Sequence, residues 1–192
     1  MNTISVMIVG VGGQGTLLAS KVLGQALVSM DYDVKVSEVH GMSQRGGSVV
    51  TYVRYGDEVH SPIVDLGQAD YMLAFEPLEA ARYLPYLKKD GVIITNTRET
   101  MPMPVITGAA TYPENIVEKL KARANVVALD AMQLALEAGN AKAVNMVLMG
   151  VLASRMDLPE EVWQAALAKQ VPAKFLELTR RAFALGQAQK GV

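Results

Sequence analysis

Two short segments hold most of the residues that could do chemistry. The first is Gly10-Val11-Gly12-Gly13-Gln14-Gly15, which follows the apolar run Ile4 to Val9 and precedes a stretch with helical spacing. Backbone N–H groups in such a loop, together with a helix N-terminus, form a site for phosphate or another anion. Glycine also lets a ligand come close to the main chain. Gly10, Gly12 and Gly15 stand where a dinucleotide fingerprint requires them. The same glycines would equally serve a tight turn and close helix–strand packing with no ligand at all. A nicotinamide coenzyme further demands an acid at the end of the second strand, roughly 20 residues on. Glu38 is the candidate, but it lies late, and a third strand follows the second without a crossover helix.

The second segment is His40-Gly41-Met42-Ser43-Gln44-Arg45-Gly46-Gly47. Arg45 offers a planar fork of donors suited to phosphate or carboxylate. Ser43 and Gln44 can hydrogen-bond a ligand or the loop itself, and Gly46 and Gly47 permit backbone shapes that other residues resist. The plainer alternative is that Arg45 pairs with a nearby acid; for His40, packing is the expected role. If the first two strands run parallel as neighbours, both loops leave the sheet at the same rim, where open α/β sheets bind ligands. Phe75-Glu76-Pro77 and Asn96 end later strands at that rim, and helix capping and turn formation are their expected roles.

Other chemistries are excluded by composition. The chain has 192 residues, a formal charge of -1 and no cysteine. Disulfides, thiolate-bound zinc and cysteine-ligated iron–sulfur clusters are therefore ruled out. Only two histidines occur, His40 and His60, too few for a histidine-rich metal site. No basic run marks a nucleic-acid partner. The first apolar stretch is short and has no basic lead-in, so it does not read as a secretory leader. Met146 to Ala153 is too short to cross a bilayer. A soluble, cytoplasmic chain is expected, with no nucleic-acid or membrane partner. Half the residues are hydrophobic (51%), enough for a full core and for apolar surface that a homodimer or heteromer would cover.

The elements that position these loops follow from periodicity. Ile4 to Val9 reads as a buried parallel strand. From Thr16 to Met30 the spacing is helical, with Leu18, Val22 and Ala26 on one face and Leu23, Leu27 and Met30 beside it. Asp33 to Val39 is a strand. Val49 to Tyr55 alternates, and Gly56-Asp57 reads as a hairpin turn into Glu58-Val59-His60. Asp70 to Phe75 is a strand, Pro77 to Lys88 a helix with proline in its first turn, and Val92 to Thr95 a strand. Met101 to Thr107 reads as a loop with at most a short strand, Pro113 to Arg123 as a helix, and Val126 to Leu129 as a strand. From Ala131 the chain is helical, with breaks near Gly139-Asn140, at Asp157-Leu158-Pro159 and at Pro172. Met146, Met149 and Trp163 are expected to pack in the core or an interface. The expected fold is α/β: a mostly parallel, Rossmann-like sheet with flanking helices, an inserted β-hairpin and a helical C-terminal tail.

The two loops together resemble the gamma domain of pyruvate and related 2-oxoacid:ferredoxin oxidoreductases. The string from Glu38 to Val49 is most similar to the small subunit of the indolepyruvate branch. The resemblance extends to Phe75-Glu76-Pro77-Leu78-Glu79-Ala80 and Asn145, and it implies a single gamma-type domain over residues 1–192. It further implies a subunit that supports oxidative decarboxylation of an aryl 2-oxoacid to an acyl-coenzyme A, with electrons passed to ferredoxin, and that is inactive alone. Thiamine diphosphate and the iron–sulfur clusters would sit on a large partner subunit. The present chain, without cysteine, would contribute binding, orientation and enclosure. The resemblance points to Gly10, Gly12, Gly13, Gln14, Gly15, Ser43, Gln44, Arg45, Gly46 and Gly47 as the residues that hold coenzyme A phosphates or cap the partner's thiamine site. Two other expectations compete with it: a standalone dinucleotide-binding oxidoreductase that uses Glu38, and a scaffold subunit without a ligand.

Overall fold

The computed structural model describes residues 3–41 and 46–189. The first strand, β1 (Ile4–Val11), is buried along almost its whole length. Its side chains alternate between two apolar layers, Val6 and Ile8 on one face and Met7 and Val9 on the other. Helix α1 (Thr16–Val28) follows the glycine loop and buries Val22, Leu23, Ala26 and Leu27 completely. Next come β2 (Asp33–His40) and β3 (Ser48–Gly56), then β4 (Ala69–Ala74), α2 (Pro77–Tyr83) and β5 (Leu87–Asn96). A short α3 (Met103–Ile106), α4 (Ile116–Lys121) and β6 (Asn125–Leu129) complete the first two-thirds.

The six strands lie in the order β2-β3-β1-β4-β5-β6. Strand β3 pairs antiparallel with both β1 and β2, and the remaining pairings are parallel. Five strands therefore point one way, and β3 alone opposes them. The inserted hairpin is β2–β3, joined by residues 41–47, and Glu58-Val59-His60 is loop rather than a second hairpin arm. Strands β1 and β2 do run parallel, so both loops leave at one rim, but β3 lies between them and they are not neighbours.

Helix α1 packs on one face of the sheet and α2 with α4 on the other. The chain switches faces between β1 and β4, so the crevice at their carboxyl ends is the topological switch point where open α/β sheets take ligands. The C-terminal tail folds back to form most of the α1 layer, as α5 (Ala131–Ala138), α6 (Val144–Ala153), α7 (Glu160–Gln170) and α8 (Ala173–Gln187). Helix α6 is buried from Asn145 to Ala153, as its all-round hydrophobicity requires. Met146, Met149 and Trp163 are in the core. Helices α6 and α8 cross so closely that a Cβ on Gly150 would fall 2.0 Å from the Phe183 carbonyl oxygen.

Proline explains two departures from the periodicity. The Pro77–Lys88 helix ends at Tyr83, because Pro85 lacks an N–H and its ring crowds the preceding turn. A turn of 3-10 helix follows, and β5 starts early, at Leu87. Met101 to Thr107 contains a one-turn helix instead of a strand, with Pro102 as its N-cap and Pro104 in its first turn. Among the described residues, no helix is long and apolar enough to cross a membrane.

Candidate anion-binding rim

The glycine loop is fixed from three sides. Gln14 folds back so that its Oε1 accepts the Val11 N–H at 2.9 Å, and a Cβ on Gly10 would fall 2.6 Å from that oxygen. A side chain at Gly10 would displace that oxygen, which is committed to the loop. Gly15, at φ +85°, is the residue from which α1 starts. Asn145, at the start of α6, donates from Nδ2 to the Gly15 carbonyl at 3.3 Å. A Cβ on Gly15 would fall 2.7 Å from that nitrogen.

The third constraint joins the two segments that the sequence singles out. The Gly12 N–H donates to the Gly47 carbonyl at 2.8 Å, and the Gly46 N–H donates to the Gly12 carbonyl at 3.3 Å. These bonds continue the β1–β3 ladder past the strand ends. Gly10, Gly12, Gly13, Gln14, Gly15, Gly46 and Gly47 are thus one continuous rim. Ser43, Gln44 and Arg45 lie outside the described residues.

Helix α2 braces that rim with two buried acids. Glu76, 1% exposed, caps α2 by accepting the Glu79 N–H at 3.0 Å. Its other oxygen accepts the Thr100 N–H at 3.2 Å and the Tyr112 hydroxyl. Burial and the Glu76 hydrogen bond push the Tyr112 phenol well above the ordinary tyrosine range. Glu79 accepts from Ser48, the first residue of β3, and from Arg82 Nε at 3.2 Å. One helix end therefore anchors both the segment after β5 and the strand that leaves the second loop. The expected capping roles hold: Glu76 caps α2, and Asn96 Oδ1 accepts the Ala131 N–H at 3.1 Å at the start of α5.

Two clefts flank the glycine loop. The larger, about 630 Å³, lies towards β4 and β5 and includes Gly13, Gly15, Phe75, Asn96, Arg98 and Lys142 in its lining. The other, about 400 Å³, lies towards the hairpin and includes Gly12, Thr16, Glu38, His40 and Val49. His40 is exposed at the end of β2 rather than packed. Glu38 accepts from Thr51 Oγ1 at 3.3 Å, on a strand that β3 separates from β1. This geometry departs from the dinucleotide pattern, in which the acid-bearing strand adjoins the first. The sequence did not single out Arg98, Thr100 and Lys142. Arg98 stands two residues past the end of β5, on the carboxyl-end rim of the sheet, which is the signal that could have flagged it.

Fold and rim together define an α/β domain that presents backbone N–H groups at a switch point, where open α/β sheets take ligands. Residues 5–189 match the pyruvate ferredoxin/flavodoxin oxidoreductase family, and the chain belongs to that family. It is similar to the indolepyruvate oxidoreductase subunit IorB of Thermococcus kodakarensis, at 45% identity over 97% of this chain and 95% of that one. The fold is shared with the pyruvate oxidoreductase subunit PORC of Thermotoga maritima, at a TM-score of 0.76 and 19% identity, over 98% of this chain and 97% of that one. It also matches part of the 2-oxoglutarate:ferredoxin oxidoreductase of Magnetococcus marinus, at a TM-score of 0.66 and 16% identity, over 98% of this chain and 31% of that one.

Proposed function

We propose that this chain is the small subunit of a 2-oxoacid:ferredoxin oxidoreductase that acts on indolepyruvate or a related aryl 2-oxoacid. The single gamma-type domain binds and positions, and a larger subunit carries the redox centres. The observation that carries this reading is the hydrogen-bonded rim of Gly12 with Gly46 and Gly47, in a chain 45% identical to an indolepyruvate oxidoreductase subunit. With no cysteine to hold a cluster, the chain has no electron path of its own. Thiamine diphosphate and iron–sulfur clusters on the partner supply the decarboxylation and the electron transfer.

The rim's chemistry suits coenzyme A phosphates. Among the described residues, the N–H groups of Gly13, Gly15 and Thr16 meet no acceptor. These are the orphan donors of a helix start, aimed where an anion gains most. Arg45, on the adjoining loop, supplies a bidentate grip on a phosphate. The residues Gly10 to Gly15 and Ser43 to Gly47 then hold the coenzyme while its thiol end reaches the partner's active centre.

The test is co-purification and ligand affinity. Expressed with its large subunit, the chain should co-elute in a brown complex; alone it should be colourless and inactive with any 2-oxoacid. Arg45→Ala should leave assembly intact and weaken coenzyme A about ten- to a hundredfold or somewhat more, the loss of a bidentate contact to a charged group. A lone chain that reduces ferredoxin, or a complex assembled without it at full activity, would overturn the proposal.

A further inference from the structure

From residue 101 to residue 112 the chain carries no charged side chain, although 19% of all its residues are charged. The stretch is nevertheless on the surface. Met101 is 42% exposed, Met103 63% and Ile106 65%. Met103 and Ile106 stand one turn apart on α3, so their side chains are neighbours. Leaving such groups in water forfeits the gain of burying them, and exposed apolar groups that cluster mark interaction sites.

The segment is also pre-formed. Its two ends hold the same oxygen of the buried Glu76, through the Thr100 N–H and the Tyr112 hydroxyl. In between, the Ile106 N–H donates to the Pro102 carbonyl at 3.1 Å and the Thr107 N–H to the Met103 carbonyl at 2.9 Å. The Ala110 N–H returns to the Pro104 carbonyl at 3.0 Å. Val105 packs inward, against the cluster that contains Met7 and Val9. A loop that is already pinned and hydrogen-bonded loses little further freedom on docking.

Composition and position say what covers it. Interface cores are poor in charge and rich in methionine, with a polar rim. Here Arg98 and Glu99 precede the segment and Glu114 follows it, all three exposed. The segment leaves the sheet at the carboxyl end of β5, and Thr100 lines the same cleft as Gly13. A second copy seated there would close the rim with another chain that lacks cysteine, and so lacks a cluster. For the redox centres of a larger subunit to reach a ligand on this rim, that subunit has to pass close to residues 101–112. We propose that residues 101–112 dock into an apolar groove of the large, cluster-bearing subunit beside its active centre, with Met103 and Ile106 as anchors. The inference rests on the small-subunit reading above.

The experiment uses the complex co-purified with its large subunit. Ferredoxin reduction on serial dilution gives the concentration at which half the activity per complex is lost. The variants are Ile106→Asp, Met103→Lys and the conservative Ile106→Leu. Leu136→Asp, at a 60% exposed apolar residue of α5, is the control. Ile106→Asp and Met103→Lys should each raise the midpoint at least about tenfold, the loss of one buried anchor. Melting temperature and the rate of the concentrated complex should stay near wild type. Ile106→Leu and Leu136→Asp should stay within about twofold of the wild-type midpoint. Anchor variants that dissociate like wild type overturn the docking surface and leave the small-subunit reading intact, because the wild-type complex still forms. Variants that make the lone chain monomeric without loosening the complex mark a self-interface, which also overturns it. A wild-type chain that forms no complex at all defeats the parent reading instead.

Discussion

Replacing Glu76 by alanine should destabilise the fold through three donors at once. The carboxyl group is almost fully buried and takes the Glu79 N–H, the Thr100 N–H and the Tyr112 hydroxyl. Losing an N-cap costs about 1 kcal/mol. Leaving the buried Tyr112 hydroxyl without an acceptor costs about 1–3 kcal/mol. Thr100 is exposed, so water can replace its partner at little cost. Burying a carboxyl group is itself unfavourable, and its removal gives some of this back. The net expectation is a loss of about 1–3 kcal/mol, read as a lower urea midpoint at unchanged slope. The Tyr112→Phe variant isolates the shared bond. If Tyr112 and Glu76 are coupled, the double variant should cost at least about 1 kcal/mol less than the sum of the singles. Additive effects, or a Glu76→Ala variant as stable as wild type, would refute the reasoning, because desolvation would then outweigh the three hydrogen bonds.

Three further substitutions probe other parts of the account. Gly150→Ala should cost about 3 kcal/mol or more, because its Cβ would meet the Phe183 carbonyl at 2.0 Å and force α6 and α8 apart; a melting temperature near wild type would contradict that packing. Gly15→Ala should be more destabilising than Gly13→Ala by about 1 kcal/mol. Both have positive φ, but only Gly15 has Asn145 within 2.7 Å, so equal thermal shifts would contradict the geometry. At alkaline pH, Tyr112 and Tyr55 should make the folded state fragile, since burial raises both phenols above their unfolded value. The folded state then binds the protons more tightly, so stability holds below about pH 10 and falls as pH rises beyond it. Tyr55→Phe should flatten that fall in urea midpoints measured from about pH 8 to about pH 11, and an unchanged slope would count against the shift.

Local signals in the sequence located most elements. The apolar run of β1, the helical spacing of α1 and the proline and glycine breaks among the C-terminal helices all appear where periodicity places them. The place of β3 between β1 and β2 was not legible, because it depends on pairing between distant segments. Gly56-Asp57 has the composition of a hairpin turn, but Glu58-Val59-His60 offers only one apolar side chain to bury. Val59 is instead held by its N–H bond to Asp33 at 2.8 Å. At the site, the glycines announced themselves by type and spacing. Arg98 and Lys142 did not, since each is an ordinary surface cation until the fold brings the end of β5 beside the start of α6. Of the two buried acids of α2, Glu76 was legible as a helix-start residue and Glu79 was not. Their grip on Ser48, Thr100 and Tyr112 was not, because it links three separate connections.

The most direct test is to titrate this chain into its large subunit, purified without it, and follow ferredoxin reduction by indolepyruvate with coenzyme A present. The account predicts almost no activity at the start, a saturable rise to a fixed stoichiometry, and no rise when coenzyme A is omitted. Full activity of the large subunit alone, or a titration that changes nothing, would contradict the claim that this chain is a required, coenzyme-holding subunit.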